Sequence, residues 1–263
     1  MEKLVTNNCK NEIIKYLINE KSDRVDKNIL KSEVVVIDRL LENELLAIDF
    51  YEEIGAKLTT EQWESLISQV LSLAAFWNPE AITEMKNAKK GLQSINNEIS
   101  LVAENLSKLL KKRREISDAG FDAYDCYHIV ELIDRASLNN GLYQNYVKEK
   151  LVRLRRQFSL KYWPEIEDII QELSYDASTS QVEAVDNISI AATSSSKTSI
   201  TDFFRVIYEG FEEMKYSNYG PLPNDFSLSD KATASMVNSI LPLSEEHMVE
   251  PPYVKRLRQR LRD

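Results

Sequence analysis

The chain has 263 residues, of which 43 % are hydrophobic and 29 % charged, and a formal net charge of -9. That length suffices for one large domain or two small ones, and the composition is that of a globular protein. Only six glycines occur, which argues against sheet-rich folds with their many tight turns; neither GxGxxG nor GxxxxGK[ST] is present, so both common nucleotide cradles are absent.

Cys9 and Cys126 lie far apart and near no second thiol, which suits a reducing compartment and gives no disulfide framework. The start, "MEKLVTNNCKNE", has no apolar signal core. Ser65–Pro79, the longest uncharged apolar stretch, is too short and too polar to span a bilayer. These features lead us to expect a cytoplasmic, soluble protein.

In chain order, residues 8–22 and 27–57 are predicted helical. In the second segment Val34, Ile37, Leu41, Leu45, Ile48 and Tyr51 recur at steps of three and four. Thr59 and Gln62 form a capping-box pair that opens a helix ending near Trp77. Residues 79–117 carry the clearest pattern. Pro79 suits a first helical position, and Met85, Ala88, Leu92, Ile95, Ile99, Val102, Leu106, Leu109, Arg113 and Ile116 follow a heptad rhythm with one polar interruption. Gly120 is placed to stop that helix. Such a seam requires cover, either from within the chain or from a parallel or antiparallel second copy.

Shorter helices are predicted at 122–137 and at 142–162, the latter with Tyr143, Val147, Leu151, Leu154, Phe158 and Tyr162 on one face, and again from Pro164 to Leu173. Short joins between neighbouring helices imply a bundle. Residues 174–199 hold eight serines and three threonines and no long apolar face, which reads as a linker. Helices at 200–216, 229–240 and 252–262 follow. The expected fold is all-α: a helical bundle over 1–173 around one long heptad-patterned helix, a Ser/Thr-rich linker over 174–199, and a small helical unit over 200–263 that docks on the bundle.

Positive charge gathers in three helical pieces, "KLLKKRRE" (108–115), "KEKLVRLRRQ" (148–157) and the tail "EPPYVKRLRQRLRD" (250–263). Lys111, Lys112, Arg113, Arg114, Arg153, Arg155, Arg156, Lys255, Arg256, Arg258 and Arg260 are therefore the candidate phosphate- or partner-contacting residues. An acidic protein can bind nucleic acid through a local basic face. Each run also fits the wet side of an amphipathic helix, with cations near its C-terminus. In the tail, Val254, Leu257 and Leu261 form an apolar stripe, which favours docking on protein, with the acidic stretch 164–251 as one surface for it. No aromatic-rich or recognisable nucleic-acid module accompanies the cations.

"FDAYDCYHIVELID" (121–134) contains Asp122, Asp125, Cys126, His128, Glu131 and Asp134. On a helix His128 falls nearly opposite Cys126, which shares the apolar face with Ile129, Val130 and Ile133; Asp125 and His128, at i and i+3, could form a hydrogen-bonded pair or supply two metal ligands, but a metal site needs further ligands from elsewhere. The second histidine is His247. The sequence holds no GxSxG. Tyr143, Tyr146, Phe158, Tyr162 and Trp163 are expected in the core. No catalytic residue, metal or cofactor follows from these patterns.

The assembly "LKYWPE" (160–165), "TDFF" (201–204), "LPNDFSLSDKA" (222–232) and "EPPYVKRLRQR" (250–260) resembles an uncharacterised family of bacterial proteins associated with integrative elements and genomic islands. The resemblance covers about residues 60 to 263 and implies a mobile-element or defence-island setting, with no activity attached. The expected function is that of a non-enzymatic helical interaction or assembly protein, self-associating or bound to a protein partner. The alternative is a nucleic-acid-binding accessory protein.

Overall fold

The computed structural model describes residues 2–117 and 128–261. Among the described residues there are twelve α-helices and no strand, only an isolated bridge between Lys215 and Leu222. The fold is all-α, and the long heptad-patterned helix is present. It divides into two compact units, residues 1–86 with 184–263, and residues 87–183. This differs from a division at 173 and 199. Residues 200–263 share an apolar core with the first 86, and the larger joint core buries a greater fraction of apolar surface than either piece would alone.

The first unit contains α1 (Glu2–Asp26), α2 (Lys31–Glu42), α3 (Ile48–Lys57), α4 (Thr60–Phe76) and the opening turns of α5 (Pro79–Ser117). The later sequence adds α9 (Asn187–Thr193), α10 (Ile200–Glu213), α11 (Asp230–Ile240) and α12 (Pro251–Arg260). Leu17, Ile37, Phe50, Leu66, Val70, Phe203, Phe204, Val237 and Val254 meet in its core. α11 is buried almost all round, from Ala232 to Val237, as expected of a helix packed against α2, α3 and α12 together. Half of the Ser/Thr-rich stretch 174–199 is helical. It begins inside α8 (Ile166–Thr179) and contains α9, capped by the Asp186 side chain, which accepts from Ser189 N at 2.8 Å. Its hydroxyls cap and back-bond helices, a use that composition does not distinguish from a linker.

The helix expected over 27–57 is two helices. Asn43–Ala47 forms turns, and Ser235 of α11 enters the gap. Its hydroxyl donates to Leu46 O and accepts from Phe50 N at 3.3 Å, the two groups that an unbroken helix would join. A side chain inserted into the backbone ladder is a recognised cause of helix breaks. Few glycines do not mean few turns here. α1 ends with Asn28 at φ 54, Asn28 N bonding Val25 O and Ile29 N bonding Arg24 O. This is a Schellman ending with asparagine in the left-handed position. Glycine is required instead where helices touch: a Cβ on Gly55 of α3 would lie 2.1 Å from Cys9 Sγ of α1.

Two charged contacts fix helix ends. Lys86 of α5 is 4 % exposed and Asp202 of α10 fully buried; Lys86 Nζ donates to Asp202 Oδ2 at 2.8 Å and to Ser195 Oγ at 2.9 Å. Asp202 also accepts from Ser199 N at 3.1 Å, completing a capping box, and from Arg205 at 2.8 Å. Glu53 of α3 holds the start of α11: it accepts from Ser229 N and from Lys57 Nζ, both at 2.7 Å, and from the Ser229 hydroxyl. Burial works against the Glu53 carboxylate, but the hydrogen bonds from Lys57 and Ser229 outweigh it and hold its pKa below the ordinary value.

Lys86→Met leaves a buried carboxylate with one cation fewer, so chemical denaturation should show a loss of about 3 kcal/mol. Glu53→Gln should lose about 1 kcal/mol at neutral pH. Because the folded pKa of Glu53 is lowered, its contribution is present above the unfolded value and disappears as pH falls through the folded one. The gap between wild type and Glu53→Gln in denaturant titrations should therefore narrow as the solution is acidified through and below the ordinary carboxylate range.

Candidate functional site

The second unit contains α5 from Asn87 onward, α6 (Ile129–Ala136), α7 (Lys148–Gln157) and α8. Apart from small or isolated side chains, namely Ala103, Val130, Tyr143 and Ala177, no hydrophobic residue of its described part is buried. The aromatic core expected here is not assembled. Tyr143 is buried, but Tyr146, Phe158 and Tyr162 are exposed. The predicted helix over 142–162 is interrupted, with a π-helical turn at Tyr143–Val147 before α7 and a 3-10 turn at Leu160–Tyr162 after it.

α5 meets α8 through small residues. Ser107 Oγ donates to Glu167 O at 3.0 Å, and Ser174 Oγ donates to Ser100 O at 2.8 Å. The pairing of 107 with 167 and of 100 with 174 makes the two helices antiparallel. Ala103, Ser107, Ser174 and Ala177 are buried along this line. Side chains this small allow two helices to approach closely, and the hydroxyls find backbone partners when buried. The covered line of α5, Ser100, Ala103 and Ser107, is a heptad line, but it is not the apolar one. Seven-residue spacing also runs through α8 from Glu167 to Ser174, with Glu167 buried and accepting an ion pair from Arg114 at 2.6 Å.

The apolar line beside it is left open. Leu92, Ile95, Ile99, Val102, Leu106 and Leu109 are 40 to 64 % exposed, and Ile116 is 56 % exposed. With Ala103, Ile170 and Leu173, part of this line forms a groove of about 400 Å³ between α5 and α8, with Glu98 at its edge. The seam predicted from the sequence is thus real as a pattern, but in this unit the contact is made one helical step away from it. Sequence reading missed Ser100, Ala103 and Ser107, because they are small or polar and carry no hydrophobic signal. Their own 3-4 spacing was the available clue.

At least five of the eleven candidate cations are tied to carboxylates. In the second unit Lys111 reaches Asp168 at 4.0 Å, Arg114 bonds Glu165 at 2.7 Å, Arg153 bonds Glu149 at 2.6 Å, and Arg155 bonds Glu131. Lys112 and Arg156 are exposed and Arg113 is half-buried. In the first unit α12 buries Val254 and Leu257, while Arg258 bonds Asp230 at 3.2 Å and Leu228 O at 2.8 Å. The tail helix therefore docks on the protein by its apolar stripe, and Lys255, Arg256 and Arg260 face solvent. The cations do not form a single element. Lys111–Arg114 and Arg153–Arg156 belong to the second unit and Lys255–Arg260 to the first.

Asp122, Asp125 and Cys126 lie outside the described residues, as does Gly120. His128 is buried, caps α6 by accepting from Val130 N at 3.1 Å, and sits edge-on to Trp163 at 5.1 Å. Glu131 and Asp134 pair with Arg155 and Lys148. His247 bonds Ser244 at 2.7 Å. Among the described residues no group of three or more His, Cys, Asp or Glu is arranged to hold a metal ion, and no helix is long and apolar enough to cross a membrane. The chain matches no protein-family model, no curated protein and no solved structure.

Ala103→Leu adds three carbons at a buried position between the Ser100–Ser174 and Ser107–Glu167 contacts of α5 with α8. Overpacking of this kind costs about 1–3 kcal/mol. Amide exchange in α8 should accelerate, while exchange in α11 stays at the wild-type rate.

Proposed function

We propose that the protein is a non-enzymatic helical assembly protein, and that its working surface is the open heptad stripe of α5 with Ile170 and Leu173 of α8. The supporting observation is the exposure of Leu92, Ile95, Ile99, Val102, Leu106 and Leu109 at strict three-four spacing. A contiguous apolar patch on a soluble helix marks an interaction site. A seven-residue period adds information, because an isolated straight helix has 3.6 residues per turn and its stripe would drift round the surface. A stripe that stays on the seven-residue period suits a helix-shaped partner that supercoils with it. The resemblance to proteins of integrative elements supplies the setting proposed for such an assembly. Nucleic-acid binding is the weaker reading, because Arg114, Arg153, Arg155 and Arg258 already serve carboxylates.

A photo-reactive amino acid placed at Val102 should crosslink the protein to a second polypeptide in cells. The same group at Asn97, exposed on another face of α5, should not. Absence of crosslinks at Val102, or equal crosslinking at both positions, would overturn the reading.

A further inference from the structure

We propose that the occupant of the α5 stripe is α5 of a second copy of this chain, lying antiparallel to the first. This rests on the reading of the stripe as an interaction surface and names its partner. The heptad places Leu92, Ile99, Leu106 and Arg113 at one seam position and Ile95, Val102, Leu109 and Ile116 at the other. A parallel, in-register pair sets Arg113 directly against Arg113 of the other copy, and like charges in a seam repel. An antiparallel pair interleaves the two seam positions. Its layers are Leu92 with Ile116, Ile95 with Arg113, Ile99 with Leu109, and Val102 with Leu106, each occurring twice. Arg113 then lies over an isoleucine, where its alkyl stem can pack and its guanidinium can reach water.

The two flanks of the stripe decide between these arrangements. On one flank stand Asn96, Ala103 and Leu110, which are buried or half-buried beside α8. On the other stand Gly91, Glu98, Asn105 and Lys112, all exposed. In a parallel pair each open flank meets the covered flank of the other copy, so Glu98 faces Ala103 and Lys112 finds no carboxylate. In an antiparallel pair the two open flanks meet each other. Glu98 then lies across from Lys112, twice by symmetry, and Asn105 lies across from its own copy at the two-fold axis. The same rotation brings both α8 helices to the other side, where Ile170 and Leu173 of each copy extend the apolar contact. The result is an isologous four-helix arrangement of two α5 and two α8 helices.

Short bismaleimide crosslinking of single-cysteine proteins, made in a Cys9→Ala, Cys126→Ala background, tests the register. Asn105→Cys should crosslink to itself. Glu98→Cys and Lys112→Cys should crosslink only when the two proteins are mixed, because equivalent Glu98 positions stand 14 residues out of register, roughly 20 Å apart at 1.5 Å per residue. Self-crosslinking of Leu92→Cys would show a parallel pair and overturn the proposal. Independently, with both native cysteines kept, Glu98→Lys should weaken dimerisation roughly tenfold by sedimentation, and Glu98→Lys with Lys112→Glu should restore it. An unmoved dimer constant in Glu98→Lys also counts against this register. If light scattering shows a monomer while the Val102 photocrosslink to a different polypeptide persists, self-association fails and the interaction surface stands. Loss of the photocrosslink as well removes both.

Discussion

A helix of 39 residues rises roughly 58 Å, and it can bury a face only where another element lies along it. That constraint governs this protein. The opening turns of α5 lie in the first unit, where Ile82 joins the common core and Lys86 ends in a buried contact with Asp202. Beyond Asn87 the helix belongs to a second unit with few buried apolar side chains among its described residues. The buried Lys86–Asp202 pair is thus the last deeply enclosed contact of α5 within the first unit. Its geometry is demanding because Asp202 simultaneously accepts from the amide that starts its own helix, from Lys86 and from Arg205. A buried carboxylate needs that many donors to offset its lost hydration.

The two units solve the packing problem differently. The first brings both ends of the chain around α11, so that large side chains such as Phe50, Phe203 and Phe204 are wholly enclosed. Hydroxyls are used there as connectors. Ser235 fills the break between α2 and α3, and Ser229 meets Glu53. In the second unit α5 and α8 approach on serine and alanine. This contact buries little area, and at about 25 cal/mol per Å² of apolar surface it contributes little hydrophobic stabilisation. The larger apolar surface lies on the adjacent, open line. That distribution is the reverse of the first unit, where the large apolar side chains are enclosed.

Charge follows the same logic. The basic runs looked in sequence like candidates for phosphate. In the fold many of their members join helices: Arg114 links α5 to Glu165 and Glu167 at the start of α8, Arg155 links α7 to α6, and Arg258 holds α12 near the start of α11. The solvent-exposed pair Arg114–Glu165 contributes little stability, and the effect of these contacts is on which helices lie together and in which direction. The tail, whose five cations first suggest an anionic ligand, is held by Val254 and Leu257, both buried.

What the sequence by itself determined is the local part. The all-α class, the capping box at Thr59 and Gln62, the start of α5 at Pro79 and its heptad period are set by interactions within a few residues, and each is readable from spacing alone. The tertiary structure decided the features that depend on distant partners. The break at Asn43–Ala47 needs Ser235, 189 residues from Leu46. The division into units needs residues 184–263 to return to residues 1–86. The face of α5 that is covered depends on α8, whose contacts lie 60 residues beyond Ser107 and 74 beyond Ser100, and close approach of backbones favours the smallest side chains over the most apolar ones. Hydrophobic periodicity reports that a face requires cover, and only the packed molecule shows which face receives it.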